Sequence, residues 1–328
     1  MTALVTGGCG FIGSHLVEHL LARGGDVIVL DDLSTGRRAN LDAVRDHPRL
    51  RFVAGSILDR PLVERLVGQS GVVFHLAAAV GAFVIRDRTA ESLRINIHGT
   101  ENVVEAATAS GARLLVASSS EVYGKNTRLG LREDDDRIVG SPLTHRWSYS
   151  EAKAVDESLV HSHVRTAGLR ATIVRLFNTV GPRQSGRYGM VVPRFVTQAL
   201  AGEPLTVFGP GTQIRCFCHV ADVVPALAAL AMTDRACGVA VNLGSCEQVS
   251  MNQLARRVRQ LAGSTSPIVR LSYQQAYGPG YEDLQRRVPD CTRARQLIGF
   301  RPRYTLDDII RSVIADRMPA NRAATAVS

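Results

Sequence analysis

Lysine is almost missing from this chain. Of 39 basic residues only Lys125 and Lys153 are lysines; the other 37 are arginines. Paired cysteines are missing too. The six lie at 9, 216, 218, 237, 246 and 291 with no C-x-x-C, which is neither a zinc pattern nor a disulfide framework. No metal is expected, and a reducing cytoplasm is the simplest setting. No stretch reaches the roughly 18 consecutive apolar residues of a membrane span. The opening MTALVTGGCG lacks the basic and apolar regions of a signal peptide and reads as a first strand. Basic runs interleaved with aromatics are absent as well. The net charge of +9 is spread over arginines standing mostly singly or in pairs, which argues against nucleic acid and fits an anionic small substrate.

What is present has a clear alternation. ALVTG (3 to 7), DVIVLDD (26 to 32), RFVAG (51 to 55), VVFHLAA (72 to 78), RLLVASSS (113 to 120) and RATIVRLF (170 to 177) are short, β-branched and bounded by Gly, Asp or Ser, as strands are. Between them, Ile12, Leu16 and Leu20 recur at helical spacing, and 91 to 111 is a helix ending on a glycine. Strands alternating with helices predict an α/β fold with a mainly parallel, doubly wound sheet. After about residue 178, Pro and Gly punctuate shorter elements, and a smaller substrate-binding region is expected there. The polar stretch 125 to 146, ending beside Tyr149, is expected to act as a lid.

LVTGGCGFIGSHL (4 to 16) sets Gly7, Gly10 and Gly13 between the first strand and the first helix. Glycines let a backbone approach a pyrophosphate, whose charge the free N–H groups of a helix N-terminus bind. Asp31 and Asp32 end the second strand, 24 residues after Gly7 in the case of Asp31. A carboxylate there accepts from an adenosine ribose and repels a 2′-phosphate, so NAD is expected over NADP. The plainer reading is a pair of aspartates opening a solvated loop.

Tyr149 and Lys153 stand four apart in WSYSEAK, one turn apart on a helix face. An ammonium there would stabilise a phenolate and draw the tyrosine pKa down toward working pH. Arginine, with its fixed fork and much higher pKa, is a poor substitute. This gives a reason for a lysine in a chain that otherwise writes arginine.

Taken together, TGGCGFIGSHL, DDLSTG, FHLAA, SSSEVYG, YSEAK, RLFNTVGPR and GTQIRCFCHVADVV occur in the order seen in the extended short-chain dehydrogenase/reductases, the nucleotide-sugar epimerases, dehydratases and decarboxylases. The resemblance covers residues 2 to about 312. It implies a Rossmann-type NAD domain over 1–177, a nucleotide-sugar-binding domain over 178–315 with some chain crossing between them, and a flexible tail over 316–328. It also implies that Gly7, Gly10, Phe11, Ile12, Gly13, Asp31, Asp32, Ser34, Gly36, Ser56, Ile57, Leu76, Ala77, Ala78, Asn96, Tyr149 and Lys153 hold NAD. Ser119, Ser120, Asn178, Val191, Val192, Val207, Phe208, Arg215 and Arg287 would hold a UDP-sugar. Tyr149, Lys153 and Ser119 would oxidise the sugar at C4, with Glu121 and Arg215 acting afterwards.

Within that family SSSEVYG, IVG before RWSYSEAK, QIRCF and DLQRRVPD look like UDP-glucuronate decarboxylases. Oxidation of a glucuronate at C4 makes a β-keto acid, which loses its carboxylate with the ketone as electron sink. Arg215 would be the cation near that carboxylate and Glu121 would order the group that reprotonates C5. Alternatively Arg215 only holds phosphate and Glu121 only pairs structurally. HLAAAVGAFVIRDR (75 to 88) looks more like 4-epimerases, the second reading. A 4,6-dehydratase ranks third, since Ser120 replaces the acid of that enzyme. An NAD-binding regulatory protein is the non-enzymatic alternative. Ser119 stands where most relatives have Thr and Ser56 where they have Asp, and Cys9, Cys216 and Cys218 are expected to pack. A homodimer through the helices near 91 to 110 and after Tyr149 is expected from the resemblance alone.

Overall fold

The computed structural model describes residues 1–186, 189–278 and 282–318. Seven strands form one sheet in which every pairing is parallel. Six are β1 (Thr2–Thr6), β2 (Asp26–Asp31), β3 (Leu50–Ala54), β4 (Val72–His75), β5 (Arg113–Ser119) and β6 (Ala171–Leu176). Helices α1 (Phe11–Ala22), α2 (Arg60–Gly68), α3 (Ala82–Asp87), α4 (Thr89–Ser110) and α5 (Ser148–Ala167) fall between them. The remaining chain forms β7 (Thr179–Val180), α6 (Val191–Ala201), β8 (Leu205–Phe208), β9 (Ile214–Cys216), β10 (Cys218–His219), α7 (Val220–Met232) and β11 (Ala240–Leu243). It ends with β12 (Gln248–Ser250), α8 (Met251–Leu261), β13 (Ile268–Leu271), α9 (Tyr273–Tyr277), β14 (Arg286–Arg287), α10 (Thr292–Ile298) and α11 (Leu306–Arg317).

The sheet order is β11-β6-β5-β4-β1-β2-β3. The expected doubly wound parallel sheet is therefore present, with a seventh strand that arrives from the second half of the chain. Strand periodicity explains the two-sided core. In β1, Ala3 and Val5 pack into the cluster under α1 and α7, while Leu4 packs into the opposite cluster with Val63, Val103 and Leu114. Leu4 and Val5 are both 0% exposed, each contributing about 1.5–3 kcal/mol of burial. A third cluster joins α6, α8 and α11 around β8. Small sheets accompany it: β8 with β13, and β9 between β12 and β14.

The helix expected at 91 to 111 spans 89–110, with Gly111 in the left-handed region. Segment 125 to 146 is tied down rather than loose. Lys125 N donates to Ile138 O (2.6 Å), Leu131 N to Val288 O (2.8 Å), and Leu131 is buried. Helix α11 carries order through Arg317, and residues 319–328 of the expected tail lie outside the described residues. Cys216 and Cys218 belong to two different short strands, and both are buried.

Candidate active site

The C-terminal ends of the parallel strands open onto a cavity of about 1310 Å³. That is more than a single small ligand needs and suits two nucleotides end to end. Gly7, Gly10, Phe11, Ile12, Gly13, Asp31, Asp32, Ser34, Gly36, Ile57, Leu76, Ala77 and Ala78 line one end. Ser119, Ser120, Glu121 and Tyr149 line the middle, and Asn178, Val191, Val192, Phe208, Arg215 and Arg287 the other end. Four expected site residues, Ser56, Asn96, Lys153 and Val207, are not among the lining residues. Asn96 braces the loop after β4 instead, accepting from Ala79 N (2.9 Å) and donating to Ala79 O (3.1 Å). Ser56 accepts from Leu58 N (3.2 Å), and Val207 is wholly buried in the third core cluster.

The glycine loop fits a dinucleotide on steric grounds. Gly7 has φ +72°, and a Cβ there would lie 2.8 Å from Ala77 N. A Cβ on Gly13 would sit inside the carbonyl oxygen of Gly7. With Gly10 as the N-cap of α1, this close-folded turn leaves the helix N-terminus open to an anion. Asp31 stands beside it, 7% exposed, accepting from Cys9 N and Leu33 N at 2.8 Å each. Burial pushes its carboxyl above the ordinary value despite those two hydrogen bonds. Asp32 is exposed and accepts from Ser34 N (2.9 Å). Cys9 is fully buried, its thiol pushed up to about 12 by that burial.

Tyr149 and Lys153 come from the start of α5, as the spacing predicts, and both are buried. Ser119 ends β5, and its Oγ accepts from Glu121 N (3.2 Å) as the chain turns under the strand. The expected fall in the Tyr149 pKa is not what this environment gives. Burial raises it and outweighs the Lys153 ammonium, which acts to lower it; Glu121 and Asp156 add to the rise. The lysine is engaged elsewhere: its Nζ lies 3.0 Å from Asp156 Oδ2.

Glu121 stands between two arginines. Arg146 Nη2 is 2.7 Å from its Oε2, and Arg287 Nη1 pairs with its Oε1. Burial alone would raise the Glu121 carboxyl, but the two guanidiniums outweigh it and hold the group well below the usual range. The pair of guanidiniums thus favours the ionised carboxylate, which suits Glu121 poorly to donating a proton. Arg287 also donates to Asn178 Oδ1 (3.0 Å), whose Nδ2 donates to Cys216 O (2.8 Å). Arg215 donates to Asp283 (2.7 Å), which also accepts from the Tyr273 hydroxyl (3.0 Å).

Sequence reasoning missed Arg146, Asp283, Asp156 and Arg194. Arg194 lines the cavity with its guanidinium 3.7 Å from the Phe208 ring centre, and burial pulls its pKa down to about 10. Among 37 arginines nothing singled out these two. Arg146 lies three residues before Tyr149, a spacing that could have drawn notice.

Known proteins share this arrangement over nearly the whole chain. UDP-N-acetyl-alpha-D-glucosaminuronate decarboxylase of Bacillus cytotoxicus is 38% identical over 95% of this chain and 96% of its own length. UDP-glucuronic acid decarboxylase 1 of Xenopus tropicalis is 36% identical over 95% of this chain and 70% of its own length. The crystal structure of UDP-glucuronic acid 4-epimerase from Bacillus cereus, in complex with UDP-glucuronic acid and NAD, superposes with a TM-score of 0.86. It is 27% identical, covering 96% of this chain and 98% of that one. Residues 3–244 match the NAD dependent epimerase/dehydratase family, and with the glycine loop, the Tyr149–Lys153 pair and full-length relatives in agreement, the chain belongs to that family.

Proposed function

We propose that the chain is an NAD-dependent decarboxylase of a UDP-linked hexuronic acid, with UDP-glucuronate as the reference substrate. The observation that carries this reading is the pair Arg146 and Arg287 converging on Glu121 at the cavity wall beside Tyr149. Cationic groups next to the base suit a substrate whose own carboxylate must sit close to C4. Decarboxylase-named relatives at 36–38% identity support it.

The division of labour follows from the geometry. Gly7, Gly10 and Gly13 would take the pyrophosphate of NAD and Asp31 its adenosine ribose. When bound, NAD supplies the acceptor for hydride from C4 and later returns it. Tyr149 takes the proton of the 4-hydroxyl, and Ser119 hydrogen-bonds the same oxygen. With C4 a ketone, the bond between C5 and the carboxyl carbon breaks, carbon dioxide leaves, and the electron pair moves to the C4 oxygen. The protonated Tyr149 hydroxyl then faces that oxygen, and C5 takes its proton from water. Glu121 remains ionised throughout and fixes Arg146 and Arg287. Asn178, Arg215, Arg287, Val191, Val192 and Phe208 would hold the nucleotide, with Arg194 as a further cation at that end.

A 4-epimerase is the second reading, favoured by the likeness to the epimerase structure solved with UDP-glucuronic acid. Mass spectrometry of the nucleotide sugar after incubation with NAD separates the two. We expect UDP-glucuronate, or its 2-acetamido counterpart, to lose the mass of carbon dioxide; an unchanged mass with a new isomer would replace decarboxylation by epimerisation.

The same proposal divides the chain into an NAD part (1–177) and a nucleotide-sugar part (178–315), with β11 returning to the first. Pairing of two copies through α4 and α5, which pack side by side, would give a homodimer, and light scattering showing a monomer at micromolar concentration would remove it. Among the described residues no helix is long and apolar enough to cross a membrane. Six free cysteines suit a cytoplasmic setting.

A further inference from the structure

Asp156 is 0% exposed, and only one of its carboxylate oxygens is satisfied. Oδ2 takes the Lys153 ammonium at 3.0 Å, while Oδ1 is buried without a hydrogen-bond partner. A half-satisfied carboxylate in a protein interior is costly and calls for an explanation. Pairing with the buried Lys153 ammonium accounts for one oxygen, since removing Asp156 alone would strand that charge, but it does not account for the orphaned Oδ1. The neighbouring Glu157 has its own partner: Arg175 donates to it at 2.7 to 3.2 Å through two nitrogens. Asp156 is thus the carboxylate that Lys153 meets.

The surroundings leave the ammonium few alternatives. His75 of β4 is buried behind it, bonded through Nδ1 to Thr6 (2.8 Å) and through Nε2 to Thr100 (3.1 Å). Its pKa falls to about 3 through burial and the Lys153 charge, so it is neutral. Thr100, from α4, lies beside Asp156 but donates its hydroxyl proton to Asn96 O (2.6 Å). Lys153 and Asp156 on its own helix, and Glu121 on the turn after β5, act on Tyr149 through their charges. Lys153 lies in the field of Asp156, Tyr149 and Glu157.

We propose that Asp156 is a positioning residue: it holds the Lys153 ammonium away from the cavity in the resting protein and thereby sets the pH at which Tyr149 becomes a base. The ammonium is shared between two anions, the carboxylate and the developing phenolate. While the carboxylate holds it, Tyr149 feels a partly cancelled charge and keeps its proton. Burial raises the Tyr149 pKa, and Asp156 raises it further. When the phenolate forms, the ammonium swings toward it and Asp156 is left as the poorer partner. The lysine is then a gated charge.

The inference rests on reading Tyr149 as the base, but its first test needs no turnover. The phenolate absorbance of Tyr149 is titrated as the difference between a parent and the same protein carrying Tyr149→Phe. Parents are the wild type, Asp156→Asn, and Asp156→Ser as a second charge-free variant should the first fold poorly. Removing the competing carboxylate is expected to lower the Tyr149 pKa by about one unit, in the range that one nearby charge produces. The acid limb of C4 oxidation, followed as reduced nicotinamide in a single turnover, moves down by the same amount. An unshifted phenolate titration with lowered stability would make Asp156 merely structural. An upward shift would mean that Lys153 loses its proton without Asp156. Either result overturns the proposal, whereas a shifted titration in a protein that never decarboxylates would leave it standing and refute the substrate assignment instead.

Discussion

Replacing Glu121 by Gln removes one charge and almost no volume, so its cost measures how firmly the site is wired. The side chains of Glu121, Arg146 and Arg287 are only 17%, 12% and 11% exposed. Breaking a buried ion pair from one side costs about 3–5 kcal/mol, because the partner stays buried without compensation. Here both guanidiniums face a large cavity and can turn toward water, so the lower end, about 3 kcal/mol, is expected in urea unfolding at neutral pH. Arg287→Met removes one of two partners and leaves Glu121 with Arg146, a smaller loss. The double variant should cost less than the two single losses together by about 1 kcal/mol or more, since the residues share one network. The pH dependence has a fixed sign. The folded Glu121 carboxyl lies below its unfolded value, which is about 4.3. Its contribution is therefore complete above that value and fades as the pH falls toward the folded one. The gap between wild type and Glu121→Gln should be flat near neutrality and close on acidification. A variant within about 0.5 kcal/mol of wild type, strict additivity, or a gap that widens in acid would refute the reasoning.

Other expectations are as direct. Gly13→Ala places a methyl against the Gly7 carbonyl, so thermal unfolding without NAD should show a loss of about 1–3 kcal/mol and calorimetry should show NAD binding weakened at least tenfold, or about 1.4 kcal/mol; unaltered stability and affinity would show the loop to be roomier than its geometry. Cys246 is exposed, and the neighbouring Cys291 thiol draws its pKa below the ordinary value. Iodoacetamide should therefore label Cys246 first and faster near neutral pH than a free thiol, with Cys9, Cys216 and Cys218 protected by burial; peptide mapping decides.

The sheet was legible because its strands are short β-branched runs with turn residues at their ends, and Leu4 and Val5 show why: each faces a different apolar layer. The strand Ala240–Leu243 was not legible. Its four residues carry no periodicity, and only pairing with β6 makes them a strand. Glycine spacing exposed the dinucleotide loop because sterics leave no substitute at Gly13. Tyr149 and Lys153 stood out because lysine is so rare here. The partners that set their chemistry did not. Arg146 was one arginine of many, and Asp156 looked like any acid on a helix until burial and an orphaned oxygen set it apart. Asp283 reaches Arg215 across a separation of 68 residues that no local pattern encodes. The lid expected at 125 to 146 was inferred from polarity, and long-range backbone bonds of Leu131 to Val288 and Asp290 tie the segment.

The most direct measurement follows the carboxyl carbon itself. UDP-glucuronate labelled at that carbon is incubated with NAD and either the wild type or Tyr149→Phe, and labelled carbon dioxide is collected. We expect label to be released by the wild type and its release to fall by about 10²–10⁴-fold in the variant, the usual loss on removing a positioned base. Label retained in an isomerised nucleotide sugar, or equal release from both proteins, would contradict decarboxylation initiated at C4 by Tyr149.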